Sequence, residues 1–232
     1  KMTSPGKILV TGGAKRIGAA LSTALVASGW KVVLHYNQAA EDAEMLSREL
    51  LAKGGLVETV QADLANPVDL SSLMDQATKT GPLDAVINNA SLFSYDDSRT
   101  VSAGQIDQHM AVNLTAPALL TRALFDQMPP DRQGAVINML DAKLFGINPD
   151  YFSYTLSKAA CHTLTQIAAQ AYAPRVRVNG IAPGIVLPSG GQIKEIVAAM
   201  RLLLDTASIT GEVIILDGGA HLQPPARDVA FL

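Results

Sequence analysis

The sequence predicts a single α/β domain, a doubly wound parallel sheet of about seven strands with helices on both faces. Three observations carry that prediction: short β-branched runs that recur along the chain, helical stretches between them, and turn chemistry at the boundaries. The runs occupy 7–11, 31–35, 57–61, 85–88, 135–139, 176–181 and 213–216. The first passes directly into a glycine-bearing turn, Thr11-Gly12-Gly13-Ala14-Lys15-Arg16-Ile17-Gly18, which opens a helix that Gly29 would end. Gly54 marks the stop of the next helix, because a left-handed residue ends a helix at low cost when it is glycine. Asn66-Pro67 then sets a capping side chain before a proline at a first helical position. A long helix is expected from about 151 to 172 and an amphipathic one over 196–204. The loop-rich patch at 183–192 separates that last helix from the sixth strand, with Pro188-Ser189-Gly190-Gly191 as breakers.

Composition agrees with one well-filled core. The 232 residues are 48% hydrophobic but only 5% aromatic, so Ala, Val, Leu and Ile must build the interior. A formal net charge of -3 with acids and bases interspersed leaves no basic stripe for a nucleic-acid backbone, and nucleic acid is not an expected partner. No stretch has the length or apolarity of a membrane span, and the start of the chain lacks the pattern of a secretory leader, so a cytoplasmic protein without membrane contact is expected. The lone Cys161 reads as a packing residue. The histidines at 35, 109, 162 and 221 have no ligand-like spacing, and no metal is expected.

The glycine turn lies where a nucleotide pyrophosphate is bound in sheets of this type, because free N–H groups at a helix start attract phosphate and glycine lets the backbone approach it. Taken alone, the turn fits a plain β-to-α connection equally well. Asn88-Asn89-Ala90, after the fourth strand, adds a second feature at the same sheet edge. The second strand ends in His35-Tyr36-Asn37-Gln38, without the acid that would hold the ribose 2'-hydroxyl of NAD. Arg16 supplies a planar cation suited to the 2'-phosphate of NADP, with Lys15 as helper. A solvated arginine at a helix start is the plain alternative, although a cation there opposes the helix dipole.

Tyr154 and Lys158 stand four residues apart in the predicted long helix, on one face and one turn apart. A phenol needs help to exchange protons near neutrality, and a nearby ammonium lowers its pKa. An ordinary exposed Tyr and Lys pair has the same spacing.

The Thr-Gly turn, Asn88-Asn89-Ala90, Asn113, Tyr-x-x-x-Lys at 154 and 158, Pro183-Gly184 and Asp217-Gly218-Gly219 occur together in this order, and as a set the chain resembles the short-chain dehydrogenase/reductases over essentially its whole length. The resemblance implies a Rossmann-type sheet, NADPH/NADP as cofactor, Tyr154 as proton donor, Lys158 on the nicotinamide ribose, and Asn113 in a proton relay. It implies cofactor contacts at Gly12, Lys15, Arg16, Ile17, Gly18, His35, Tyr36, Asn37, Asp63, Leu64, Asn89, Ala90, Ser91, Pro183 and Gly184 as well as Tyr154 and Lys158, with Asp63 on the adenine side. It also implies a homotetramer in which the helix of Tyr154 packs on its counterpart.

The chain departs from the usual family pattern in two places. Arg16 stands where a third glycine is usual, and Asp141 stands about where the catalytic serine is usual. Both replacements resemble the pteridine reductase branch, and bacterial dihydromonapterin reductases are similar. In that branch the residues matching Ser91 and Phe93 meet a pterin, the serine by a hydrogen bond and the phenylalanine by stacking. The chemistry fits: a carboxylate accepts from amino and ring N–H groups or, when protonated, supplies a proton to a ring nitrogen, whereas it serves a developing oxyanion poorly. Asp141 as a mere turn cap is the alternative. The expected function is NADPH-dependent reduction of a dihydropterin to its tetrahydro form, with Asp141, Tyr154, Lys158 and Asn113 as catalytic set and Ser91, Phe93, Asp141 and Tyr154 meeting the substrate. Another carbonyl or imine substrate is the first rival, and a non-catalytic NADP sensor the second. The segment between Pro183-Gly184 and Asp217 is shorter than the family's usual substrate-covering segment, through a lid missing around Ser189 to Gln192 or a true deletion.

Overall fold

A computed structural model describes residues 5–185 and 191–231. The sequence runs unbroken through 186–190, so the stretch before the last helix is short in this chain; the breakers at 188–190 lie outside the described residues.

Seven strands form one sheet: β1 Lys7–Val10, β2 Lys31–Tyr36, β3 Leu56–Gln61, β4 Ala85–Asn88, β5 Gly134–Met139, β6 Val176–Pro183 and β7 Val213–Leu216. Their order is β3-β2-β1-β4-β5-β6-β7, with every neighbouring pair parallel. Among the described residues seven α-helices lie between them: α1 Arg16–Ala27, α2 Ala40–Ala52, α3 Pro67–Thr78, α4 Ala103–Met110, α5 Ala116–Gln127, α6 Phe152–Tyr172 and α7 Gly191–Asp205. The doubly wound architecture read from the sequence is the one observed. Its strand limits differ mainly at β6, which continues to Pro183, a proline tolerated at the strand's last position.

Alternation along the strands divides the core in two. Ile8 and Val10 face one side with Leu21 and Leu25 of α1 and with Ile196, Met200 and Leu203 of α7. Leu9 faces the other with Leu73 of α3, Leu120 and Leu124 of α5 and Ala168 of α6. Because both faces are covered, β1, β4 and β5 are buried throughout, as continuous apolar runs of a parallel sheet require. A buried polar chain crosses this interior. Asn88 Nδ2 donates to Asn138 Oδ1 at 2.8 Å, and Asn138 Nδ2 donates to Thr165 Oγ1 at 2.9 Å, so β4, β5 and α6 are held in mutual register by directional bonds.

Boundary chemistry sets the ends. Asn66 Oδ1 accepts from Val68 N at 2.9 Å with Pro67 next to it, and Gly29 and Gly54 take φ of +86° and +81° after α1 and α2. Helix α7 lacks a basic residue in its own last turn. Arg177 of β6 substitutes for one, donating to Leu203 O at 2.7 Å and Leu204 O at 3.0 Å. Cys161 is 2% exposed beside Leu140 and Ala182, and burial pushes its thiol up to about 11, the profile of a packing residue. No helix among the described residues is long and apolar enough to cross a membrane.

The cap at Asn66 makes a quantitative test. Asn66→Ala should lower the unfolding free energy by about 1 kcal/mol, seen as a lower urea midpoint at unchanged slope.

Candidate active site

Since all strands run one way, their carboxyl ends share one edge, and the loops after β1 and β4 part there because their helices lie on opposite faces. A cavity of about 870 Å³ opens along that edge. Its floor is a knot between the two loops. Thr11 Oγ1 accepts from Asn89 N and Ala90 N, both at 3.0 Å, while Asn89 Nδ2 donates to Thr11 O at 2.9 Å and Gly12 O at 3.0 Å. Gly18 packs into the same knot so closely that a Cβ would stand 2.0 Å from Gly12 O.

His35 lies under the turn rather than in the exposed segment after β2. It is 1% exposed, its Nδ1 accepts from Gly12 N at 3.1 Å, its carbonyl accepts from Gly13 N at 2.9 Å, and its Nε2 faces Ala62 O at 3.0 Å. Those partners require a proton on Nε2 and none on Nδ1, and burial lowers the pKa so that this neutral form persists. The ring reaches the cavity wall but chiefly braces the glycine turn.

Helix α1 starts at that wall with no side-chain cap and no acid in its first turn, leaving N–H groups free beside Lys15, Arg16, Ile17 and Gly18. Arg16 is exposed and has no ion pair among the described residues. Lys15 also lines the cavity, and its exposed Nζ is paired with Asp42 Oδ2 at 2.7 Å. Asn37, Asp63, Leu64, Pro183 and Gly184 also reach the cavity. Tyr36 does not: it packs against the apolar core, because alternation turns it away from the edge that His35 and Asn37 share.

At the other end, Tyr154 OH donates to Asp141 Oδ2 at 2.7 Å. The second carboxylate oxygen, Oδ1, accepts from Lys143 N at 2.8 Å at the start of a short 3₁₀ turn. Asp141 is therefore both the turn cap and a partner of the tyrosine. Lys158, 3% exposed, donates from Nζ to Met139 O at 2.7 Å, and its Nζ stands 5.8 Å from the centre of the Tyr154 ring. The expected lowering of the tyrosine pKa by this ammonium is reversed. Burial, followed by the Asp141 charge and hydrogen bond, raises Tyr154 well above 10, while burial lowers Lys158. The phenol is held protonated.

Ser91 and Phe93 reach the cavity from the loop after β4. Phe93 stacks on Tyr151 with centroids 4.3 Å apart and meets Tyr154 edge-on at 4.7 Å. Tyr151 went unassigned in the sequence, although its place three residues before Tyr154 put it on the same helical face. It precedes α6 in the left-handed region, φ +55°, and cannot cap the helix. Asp96 from the Phe93 loop does so instead, accepting from Ser153 N at 2.9 Å and from Ser153 Oγ. Asn113 lies in a π-helical turn, Ala111–Thr115, between α4 and α5, behind the cavity wall. It clamps Leu92 through Leu92 N at 2.8 Å and Leu92 O at 2.9 Å and donates to Ser157 Oγ at 2.9 Å. The described residues also bring Lys143, His221, Pro224 and Asp228 to the cavity, none of which carried a sequence signal.

The short chain dehydrogenase family model matches residues 6–195. The chain belongs to this family.

Three relatives locate it within the short-chain dehydrogenases. The structure of FolM alternative dihydrofolate reductase 1 from Brucella canis complexed with NADP superposes with a TM-score of 0.90 at 37% identity, covering 99% of this chain and 100% of that one. Pteridine reductase 1 of Leishmania tarentolae is 33% identical over 222 residues, 78% of this chain and 76% of the relative. The 3-oxoacyl-[acyl-carrier-protein] reductase of Synechocystis is 30% identical over 234 residues, 91% and 95% of the two chains. For a short-chain dehydrogenase, Arg16 is the unusual residue of the turn, and its φ of +49° shows why glycine is usual there: the backbone is left-handed at that point whichever side chain it carries.

The cap on α6 tests how the helix that carries Tyr154 and Lys158 is held. Asp96→Ala should leave Ser153 N unpaired, lower the unfolding free energy by about 1–3 kcal/mol and speed amide exchange at Ser153. Unaltered exchange there would deny Asp96 this role.

Proposed function

We propose that this short-chain dehydrogenase is an NADPH-dependent reductase of a pteridine, taking a dihydropterin to its tetrahydro form. The observation that carries the reading is the 2.7 Å hydrogen bond from Tyr154 to Asp141, a proton donor paired with a carboxylate beside the exposed ring of Phe93. The relatives named for pteridine and dihydrofolate reduction support it.

The residues present fit NADP. The uncapped start of α1 meets an anion with free N–H groups, Arg16 is available to a 2'-phosphate, and β2 ends without an acid that would repel one. Gly12, Ile17, Gly18, Asn37, Asp63, Leu64, Asn89, Ala90, Pro183 and Gly184 would line the nucleotide and Lys158 its nicotinamide ribose. When bound, the cofactor supplies hydride to a ring carbon of the substrate.

Tyr154 gives its hydroxyl proton to the adjacent ring nitrogen. A phenolate beside the Asp141 carboxylate is opposed by like charge, and the Lys158 ammonium offsets that charge as the proton leaves. Asp141 also accepts from N–H groups of the heterocycle, for which a serine would be the weaker acceptor. Phe93 offers one face to a flat ring while Tyr151 backs the other. Asn113 holds Leu92 and with it the loop that presents Ser91 and Phe93. We further propose a cytoplasmic homotetramer, with the exposed α6 residues Leu156, Ala159 and Ile167 in the contact. A second reading, reduction of another carbonyl or imine, is favoured by the Synechocystis relative's near full-length match.

A panel of dihydropterins, quinones and ketones with NADPH decides between the readings; turnover of ketones without dihydropterins would overturn the pteridine assignment. Tyr154→Phe should keep NADPH affinity, measured by fluorescence titration, yet lose about 100-fold or more in kcat. For cofactor choice, Arg16→Glu should shift the NADPH-to-NADH preference toward NADH by about tenfold or more in kcat/KM, since a charge-assisted bond becomes a repulsion. Equal use of both cofactors by the unaltered protein would refute the 2'-phosphate role of Arg16.

A further inference from the structure

Where the family's covering segment is short in this chain, another part of the molecule reaches the cavity. After β7 the Asp217 carboxylate accepts from Gly219 N at 2.9 Å and His221 N at 2.8 Å, turning the chain back across the sheet edge. The tail that follows brings Pro224 and Asp228 to the same cavity as Tyr154 and Asp141. It is latched there. Arg227 makes a forked pair with Asp150, Nε to Oδ2 at 2.8 Å and Nη2 to Oδ1 at 2.7 Å, and Asp228 N adds a third bond to Asp150 Oδ2 at 2.8 Å. The hydrogen bonds from Arg227 hold the Asp150 carboxyl down at about 2, so the latch persists across the working pH range.

We propose that this tail is the substrate-side wall of the pocket and that Asp228 on it is a specificity-determining residue, selecting substrates that present an N–H edge. Asp228 is oriented from two sides: its Oδ2 faces Lys143 Nζ at 3.3 Å and its Oδ1 accepts from Ala230 N at 3.1 Å. Lys143 is itself fixed by donating to Asn148 Oδ1 at 2.6 Å, and its side chain is only 9% exposed. Each carboxylate oxygen keeps a lone pair for a further donor. Asp228 and Asp141 thus border one cavity. An amino or ring N–H group gains from both, whereas a ketone has no proton for either carboxylate. Selection of an N–H edge rests on the pteridine reading; the wall does not.

The test compares the unaltered enzyme, Asp228→Asn and Arg227→Ala, each confirmed folded by circular dichroism and thermal melting, on a dihydropterin and on the best ketone of the panel. Asp228→Asn should lower the ratio of kcat/KM for dihydropterin to that for ketone by about tenfold or more, a split that a general loosening of the fold would not produce. Arg227→Ala should raise KM for both substrates several-fold while the NADPH dissociation constant stays put. An unchanged ratio in Asp228→Asn overturns the selection, and unchanged KM values in Arg227→Ala overturn the wall. If the unaltered enzyme turns over no dihydropterin, the pteridine reading and the Asp228 selection built on it fail together, and the ketone KM of Arg227→Ala still decides the wall.

Discussion

Every chemical feature of this protein depends on the strands all running the same way. A parallel sheet delivers each loop after a strand to one edge, and the turn after β1, the loops after β4 and β5 and the tail after β7 arrive there from sequence positions more than two hundred residues apart. The arrangement costs two buried faces and a crossover helix for each strand, which the Ala- and Leu-rich helices supply. Convergence alone would leave a crowd of loops. Thr11, Asn89 and His35 turn it into a fixed surface by satisfying the backbone groups of the glycine turn from below, so the upper side is free to meet a ligand.

The chemical end follows another logic, that of polar groups deprived of water. Tyr154, Lys158 and Asn113 are nearly or wholly buried, and each has the partner that burial demands: Asp141, Met139 O, and Leu92 with Ser157. Burial itself favours the neutral phenol, and the neighbouring Asp141 charge adds to that effect. A carboxylate beside a phenol keeps the hydroxyl protonated in the resting protein and opposes the phenolate, so the proton stays in place until another charge offsets its loss.

Much of this was legible in the residues. Strand positions followed from β-branched runs, and the ends of α1, α2 and α3 from Gly29, Gly54 and Asn66-Pro67, because those signals are local. Tyr154 with Lys158 was legible because helical spacing is local too. What escaped was set by contacts between distant segments. The role of His35 depends on lying beneath a turn twenty-three residues earlier, and the pairing of Lys15 with Asp42 depends on how α1 and α2 lie against each other. Tyr36 was assigned by neighbourhood to the site, and in the structure it packs against the apolar core. The tail had no periodicity to betray it, and its position comes from the Arg227–Asp150 pair, which spans seventy-seven residues of sequence.

Arg16 shows a conflict between two demands on one residue. Its backbone is left-handed, a conformation that costs a side-chain-bearing residue roughly 1–2 kcal/mol, and its side chain is exposed with no ion pair among the described residues. No ion pair among the described residues offsets that cost. Efforts to make the protein hardier would therefore converge on this position first, since a glycine there would relieve the left-handed backbone of its side chain.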